Sequence, residues 1–264
     1  MAQLLLRGKL LGGGCDIKAV LFDKDGTLSI SEPQLETLAK SRVFCARRLL
    51  LERHPELIAP LVDEFASLLE RAYGWSASGI HPAGTTAVAS REHNLISTAT
   101  AMAQIGLGWP EAMDLSEDVF AATDSLQHSR DEFQTCATDG LHDLIQALRA
   151  ASVDCAVISN DEVAGIEAFL ISQKLKQHFQ ELWSANHSPR KPDPAAVDAL
   201  CERLHVRPDQ CALIGDANSD LVMAESAGVA VVLGYGVGWK QRPPLYPRFP
   251  VLEHWRDLTV AVPC

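Results

Sequence analysis

The sequence predicts an α/β protein, a doubly wound parallel sheet interrupted early by an all-helical block. Three observations predict it. A short, mainly apolar run at residues 17–22 (Ile-Lys-Ala-Val-Leu-Phe) stops at a charged, glycine-containing turn, as a buried parallel strand does where it meets a site. About a hundred residues follow in which only helical periodicity is visible. From Asp139 to the end, helix and strand patterns alternate, and such alternation places helices on both faces of one sheet.

Taken in order, residues 3–11 read as a hairpin leading into the first strand. Ser31 and Gln34 form a capping box around Pro33, and Leu35, Leu38, Ala39, Ala46, Leu49 and Leu50 continue one apolar helix face. After His54-Pro55, the positions Leu57, Ile58, Leu61, Val62, Phe65, Leu68, Leu69 and Ala72 follow the i, i+3, i+4 rule of a second helix. A loop rich in Gly, Ser and Pro is expected from Gly74 to Thr86, with further helices over 91–106 and 116–133. The returning alternation predicts helices at 141–151, 162–172, 195–204 and 221–227. Strands are expected at 153–158, 182–185, 211–214 and 229–233. Arg242 to Pro250, with four prolines, reads as an extended surface segment. The division is therefore a Rossmann-like core of residues 1–30 and 139–264, with a helical insertion at 31–138.

Composition narrows the partners. A net charge of -11 on 264 residues works against nucleic acid and anionic membranes, because it repels phosphate backbones, so an anionic substrate needs a local positive site. No stretch approaches the roughly 18 apolar residues of a membrane span. Seven scattered cysteines, an odd number without a CxxC pair, read as reduced thiols of a cytoplasmic protein. The N-terminal MAQLLLRGKLLGGGC has a superficial export look, but Arg7 and Lys9 interrupt an apolar run already too short for it.

Ligands of open α/β sheets sit at the carboxyl ends of strands, and four polar clusters fall there. Asp23-Lys24-Asp25-Gly26-Thr27-Leu28 offers two carboxylates at i, i+2 and a glycine for a tight turn. One such carboxylate can attack phosphorus while the other protonates the leaving oxygen and then activates water; alone, the pair also reads as a solvated turn. Ser159 and Asn160 end the Val157-Ile158 strand with a hydroxyl and an amide suited to phosphoryl oxygens, or simply to capping the next helix. Arg190-Lys191-Pro192-Asp193-Pro194 aims an ammonium from a proline-restricted loop, and by itself would equally be a surface turn. Gly215-Asp216-Ala217-Asn218-Ser219-Asp220 adds two acids four apart, which share one side if a helix starts at Asp216. With Asp23 and Asp25 they make an oxygen-rich set suited to hard Mg²⁺ and lacking the Cys and His ligands that zinc prefers.

In this order, DxDGTL, a strand-end Ser, a Lys before Pro and GDxxxD resemble the signature of the haloacid dehalogenase superfamily, over residues 17–30 and 139–235. The insertion resembles that family's helical cap only in position and character. The resemblance implies Asp23 as nucleophile and metal ligand, and Asp25 as general acid/base whose backbone carbonyl also coordinates. It implies phosphate binding by Ser159 and Lys191, to which the strand-end reading adds Thr27 and Asn160. It implies Mg²⁺ on Asp216 with Asp220 in support through water. The dehalogenases lack an acid at the position of Asp25, so its presence points to phosphoryl transfer; phosphonatases use a cap lysine, and residues 41–138 contain none. The expected activity is hydrolysis of a small phosphomonoester such as phosphoglycolate or a sugar phosphate. A sugar phosphomutase is the main alternative, because Ser90-Arg91-Glu92-His93-Asn94-Leu95 looks like the cap loop in which β-phosphoglucomutases grip a second phosphate through the Arg. The competing reading of those residues is a helix capped by Ser90. A non-catalytic phosphate-binding protein on the same fold is the third.

Overall fold

In a computed structural model, described for residues 2–128 and 135–262, the chain forms two compact units. One comprises Met1–Ser31 with Thr135–Cys264, the other Glu32–Gln134.

The first unit is built on six parallel strands: β1 (Ala19–Phe22), β2 (Asp154–Ile158), β3 (Glu181–Trp183), β4 (Cys211–Gly215), β5 (Val231–Tyr235) and β6 (Val251–Leu252). Their order across the sheet is β6-β5-β4-β1-β2-β3. Register pairs Phe22 with Val157 on one side of β1 and with Ile214 on the other. All four residues of β1 are buried, and their alternation feeds two cores. Val20 and Phe22 pack with Leu141, Leu144, Leu148, Ile166 and Phe169 of helices Leu141–Ala150 and Val163–Ser172. Ala19 and Leu21 pack with Val197, Leu200 and Met223 of helices Ala195–Arg203 and Asn218–Ser226. Burial on both faces explains why β1 reads as a continuous apolar run rather than an alternating one. Each such aliphatic side chain contributes about 1.5–3 kcal/mol by leaving water.

The structure departs from the expected elements in instructive places. The hairpin of Gln3–Leu6 and Lys9–Leu10 forms, but it pairs with Leu258–Ala261 in a separate three-stranded sheet. The last helix of the alternation starts at Asn218 rather than at Asp216 or Leu221, leaving Asp216 on the preceding loop. Ser31 does not spend its hydroxyl on a capping box; it donates to Asp25 and bonds Ser29.

The second unit is helical: Glu32–Arg53, Ala59–Tyr73, Arg91–Gln104 and Trp109–His128, with a short turn of helix at Thr85–Val88. Val62, Phe65, Leu69, Tyr73, Met102, Leu115 and Phe120 are buried in it. The Ala59 helix starts two residues later than the periodicity suggests, because Pro60 suits a first turn, and it stops at Gly74, whose φ of 72° lies in the left-handed region. The expected 74–86 loop holds a two-stranded ribbon, Trp75–Ser76 with Gly79–Ile80. The last helix starts at Trp109 rather than 116, with Pro110 in its first turn, and the end expected at 133 lies outside the described residues. Among the described residues no helix is long and apolar enough to cross a membrane.

Candidate active site

The strand order has a consequence for where a ligand can sit. The chain passes from β1 toward β2 and from β4 toward β5, so the segments after these two neighbours leave in opposite directions and open a crevice at their carboxyl ends. Asp23 lies at one lip, its N–H donating to the Ile214 carbonyl at 2.9 Å, and Asp216 at the other. With Asp220 from the first turn of the next helix, they bring three carboxylate oxygens within 4.8 Å of one another, all on buried residues. Gly215 allows this approach: a Cβ there would lie 2.7 Å from the Asp220 Oδ2.

Lys191 is the cation of the cluster. Its Nζ donates to Asp23 Oδ1 at 2.7 Å and to the Ile158 carbonyl at 3.2 Å, and lies 2.8 Å from Asp220 Oδ1. One ammonium does not balance three acids. Burial, with the neighbouring Asp220 and Asp25 charges, pushes the Asp23 carboxyl up to about 6 against the pull of Lys191. Asp216 is raised well above the carboxylate range by burial and by the charges of Asp23 and Asp220. Burial works against the Lys191 charge, yet Asp220 and Asp23 more than offset it and hold the ammonium protonated.

The other expected residues are placed as follows. Asp25 is outside the three-carboxylate group; its carboxylate meets Lys24 Nζ at 2.8 Å and accepts from Ser31 and, at 3.5 Å, from Ser29. The Thr27 hydroxyl donates to Asp216 Oδ1 at 3.2 Å. Ser159, one residue beyond the carbonyl that Lys191 contacts, is buried and accepts from the Asp161 N–H at 3.1 Å, while Glu162 rather than Ser159 stands at the N-cap position of the following helix. Asn160 beside it is half-buried. Arg91 belongs to the helical unit: Ser90 caps its helix by accepting from the His93 N–H at 3.3 Å, and the Arg91 guanidinium pairs with Asp124 at 2.7 Å.

Three residues of the site have no sequence signal of their own. Lys24, the spacer of the first motif, is 6% exposed and bridges Asp25 and Asp161 at 2.8 Å each. Burial opposes its charge, but the two carboxylates raise its pKa overall. Thr138 donates to the Thr27 carbonyl at 2.8 Å and accepts from the Trp255 indole at 2.8 Å, bracing the turn from behind. Trp239, from the segment after β5, donates its indole N–H to Asp216 Oδ2 at 2.5 Å. The donor set is all oxygen, buried and in excess of its single cation, which fits a hard divalent ion.

A model of haloacid dehalogenase-like hydrolases matches residues 17–228. The chain belongs to the haloacid dehalogenase-like hydrolases. Among curated relatives in this family, the phosphoglycolate phosphatase of Rhodospirillum rubrum is 30% identical over 83% of this chain and 80% of its own length. That of Pseudomonas putida is 28% identical over 89% of this chain and 75% of its own. Among solved structures, a predicted phosphoglycolate phosphatase from Haemophilus somnus aligns with a TM-score of 0.62 at 18% identity, covering 91% of this chain and 96% of that one. CbbY of Rhodobacter sphaeroides, solved with xylulose-1,5-bisphosphate, aligns with a TM-score of 0.51 at 18% identity over 90% and 95% of the two chains. These two likenesses concern the fold. As a member of this family the chain is an enzyme of the hydrolase class.

Proposed function

We propose that this hydrolase is a Mg²⁺-dependent phosphatase of a small phosphomonoester, phosphoglycolate or a sugar phosphate, working through an aspartyl-phosphate on Asp23. The observation that carries the reading is the convergence of Asp23, Asp216 and Asp220 within 4.8 Å, with Lys191 at 2.7 Å from Asp23. The names of the curated relatives support the same activity.

In the first step an Asp23 carboxylate oxygen attacks phosphorus. The P–O bond to the leaving alcohol breaks, and Asp25 supplies the proton that the departing oxygen needs. In the second step Asp25 takes a proton from water, whose oxygen attacks phosphorus; the bond to Asp23 breaks and inorganic phosphate leaves. Asp23 must be ionised to attack, and with a pKa near 6 it is a carboxylate at neutral pH. Lys191 orients Asp23 and Asp220 and offsets the charge of an incoming dianion. Ser159, Asn160 and Thr27, together with Lys191, are the candidate phosphate contacts. A bound Mg²⁺ would be held by Asp23, Asp216 and Asp220, with the Asp25 carbonyl, and would supply charge neutralisation for the phosphoryl oxygens. Lys24 and Ser31 both engage Asp25 through Oδ1, which orients the carboxyl group for both proton transfers. The six described cysteines are free thiols, which supports action in the reducing cytoplasm.

The test is phosphate release from phosphoglycolate, sugar phosphates and p-nitrophenyl phosphate, with and without Mg²⁺. We expect Mg²⁺-dependent release that Asp23→Asn abolishes. Undiminished turnover by that variant would overturn the nucleophile assignment, and isomerisation of a hexose 1-phosphate without net phosphate release would assign a mutase instead.

A further inference from the structure

We infer that Trp239 is a positioning residue for Asp216, setting how tightly this enzyme holds its divalent cation. The inference rests on the metal-site reading above and extends it to a segment outside the four motifs. Asp216 is 3% exposed and is gripped at both oxygens, Oδ1 by the Thr27 hydroxyl at 3.2 Å and Oδ2 by the Trp239 indole at 2.5 Å. An indole N–H can only donate, so it engages a lone pair on Asp216 Oδ2 whether or not the acid holds a proton, and it fixes the rotation of that group. Thr27 can turn its hydroxyl elsewhere; the ring cannot.

The backbone is shaped around this bond. A Cβ on Gly26 would lie 2.1 Å from the Trp239 Nε1 and 2.6 Å from Asp216 Oδ2. A Cβ on Gly238 would lie 1.7 Å from the Gly26 carbonyl oxygen. Two glycines thus let the loop after β5 press directly on the turn that carries Asp23 and Asp25. Asn218 anchors the chain beyond the tryptophan, donating to the Pro244 carbonyl and accepting from the Tyr246 N–H, each at 2.8 Å. Trp239 itself is 6% exposed, so its ring is held by packing as well as by the bond. Partners that orient a metal ligand from behind typically change metal affinity by about 10- to 100-fold.

The experiment compares the full-length protein with Trp239→Phe, which keeps an aromatic ring and removes the donor. Mg²⁺ binding is followed by the shift in thermal midpoint and by tryptophan emission. We expect the Mg²⁺ midpoint to rise about tenfold in the variant. KM for p-nitrophenyl phosphate at saturating Mg²⁺ should stay within about twofold of the parent, since the ring acts on the metal ligand and not on substrate. A Mg²⁺ midpoint equal to the parent's would overturn the inference while leaving the metal site standing. A parent that does not respond to Mg²⁺ would overturn the metal reading and the inference with it. Should the variant fail to fold, the unmodified chain with nitrogen-labelled tryptophan decides: one of its five indole N–H resonances must move when Mg²⁺ is added. No moving resonance would overturn the proposal.

Discussion

Two charged clusters, one in each unit, handle their charge in opposite ways. In the α/β unit, Asp23, Asp216 and Asp220 converge around Lys191, and burial raises the proton affinity of the first two acids. In the helical unit, Arg42 and Arg91 both pair with Asp124, and the guanidinium carbon of Arg42 sits 3.9 Å from the Phe120 ring centre. Burial lowers the Arg42 pKa, but the ring face and the carboxylate share its charge. The first cluster holds its excess of negative charge fully buried, where a cation can relieve it; the second, two guanidiniums on one carboxylate, leaves its surplus positive charge on the half-exposed Arg91 and against the Phe120 ring. An imbalance announces chemistry when it is buried away from water, and ion pairing alone does not distinguish a site from a strut.

Removing the cation should widen the imbalance most. Lys191→Met leaves the acids without their ammonium and takes away a phosphate contact, so kcat should fall by on the order of a hundred- to a thousandfold. Stability should drop by about 3–5 kcal/mol in EDTA, as for a broken buried pair, and by less in Mg²⁺, which substitutes for part of the missing charge. Denaturant unfolding with and without Mg²⁺ measures the difference. An equal loss in both conditions would mean that the carboxylates do not share a cation with Lys191.

Gly26→Ala comes next. At φ of 77° an L side chain costs about 1–2 kcal/mol, and here its Cβ also collides with the Trp239 indole. Destabilisation of at least that size, with weakened Mg²⁺ binding, is expected from thermal unfolding and Mg²⁺ titration. Wild-type metal affinity in a folded Ala variant would show that the two loops do not need this approach.

The contrast between the clusters also marks what the sequence makes legible. Asp23 and Asp216 directly follow apolar strands, Asp220 lies one helical turn further on and Lys191 in the proline-flanked loop after β3, and the strand order carries these segments to one crevice. Trp239 has no such pattern: it lies in a loop without periodicity, and its pairing with Asp216 spans 23 residues past glycines that leave it room. Lys24 reads as a spacer between two acids, because its burial depends on Asp161 from another strand end. Strand β6 is two residues long, too short for any alternation to show. The start at Trp109 hides behind Gly106, Gly108 and Pro110, which signal a loop until the proline is recognised as a first-turn residue.

The pH dependence of stability tests the electrostatic half of the comparison. Asp23 titrates near 6 in the folded protein against about 4 for an ordinary Asp, and so holds its proton more tightly when folded. A raised carboxyl contributes stability that is full below the unfolded value and is lost as pH rises through the folded one. Metal-free protein should therefore lose this contribution between about pH 4 and 6, with Asp216 acting in the same direction. Acids outside the site with lowered values, such as Asp139 and Asp257, titrate in the opposite sense and are indifferent to Mg²⁺. The difference between Mg²⁺ and EDTA melting temperatures isolates the site, and it should grow across that window. A constant difference would mean that the acids do not bind the ion as carboxylates.

The smallest effect belongs to the helical unit. The Arg91 side chain is 42% exposed, and exposed pairs contribute about 0–1 kcal/mol, so Arg91→Ala should shift stability by no more than that. Arg42, 6% exposed against the Phe120 ring, should cost more when truncated, because both packing and a buried charge contact are lost. The order of the two, read from denaturant midpoints, checks that this cluster is structural. Kinetics sharpen it further: a tenfold rise in KM for a phosphoester in Arg91→Ala, with kcat and melting temperature unchanged, would show that the guanidinium leaves Asp124 for substrate. The second cluster would then hold positive charge for an anion, as the first holds negative charge for a cation.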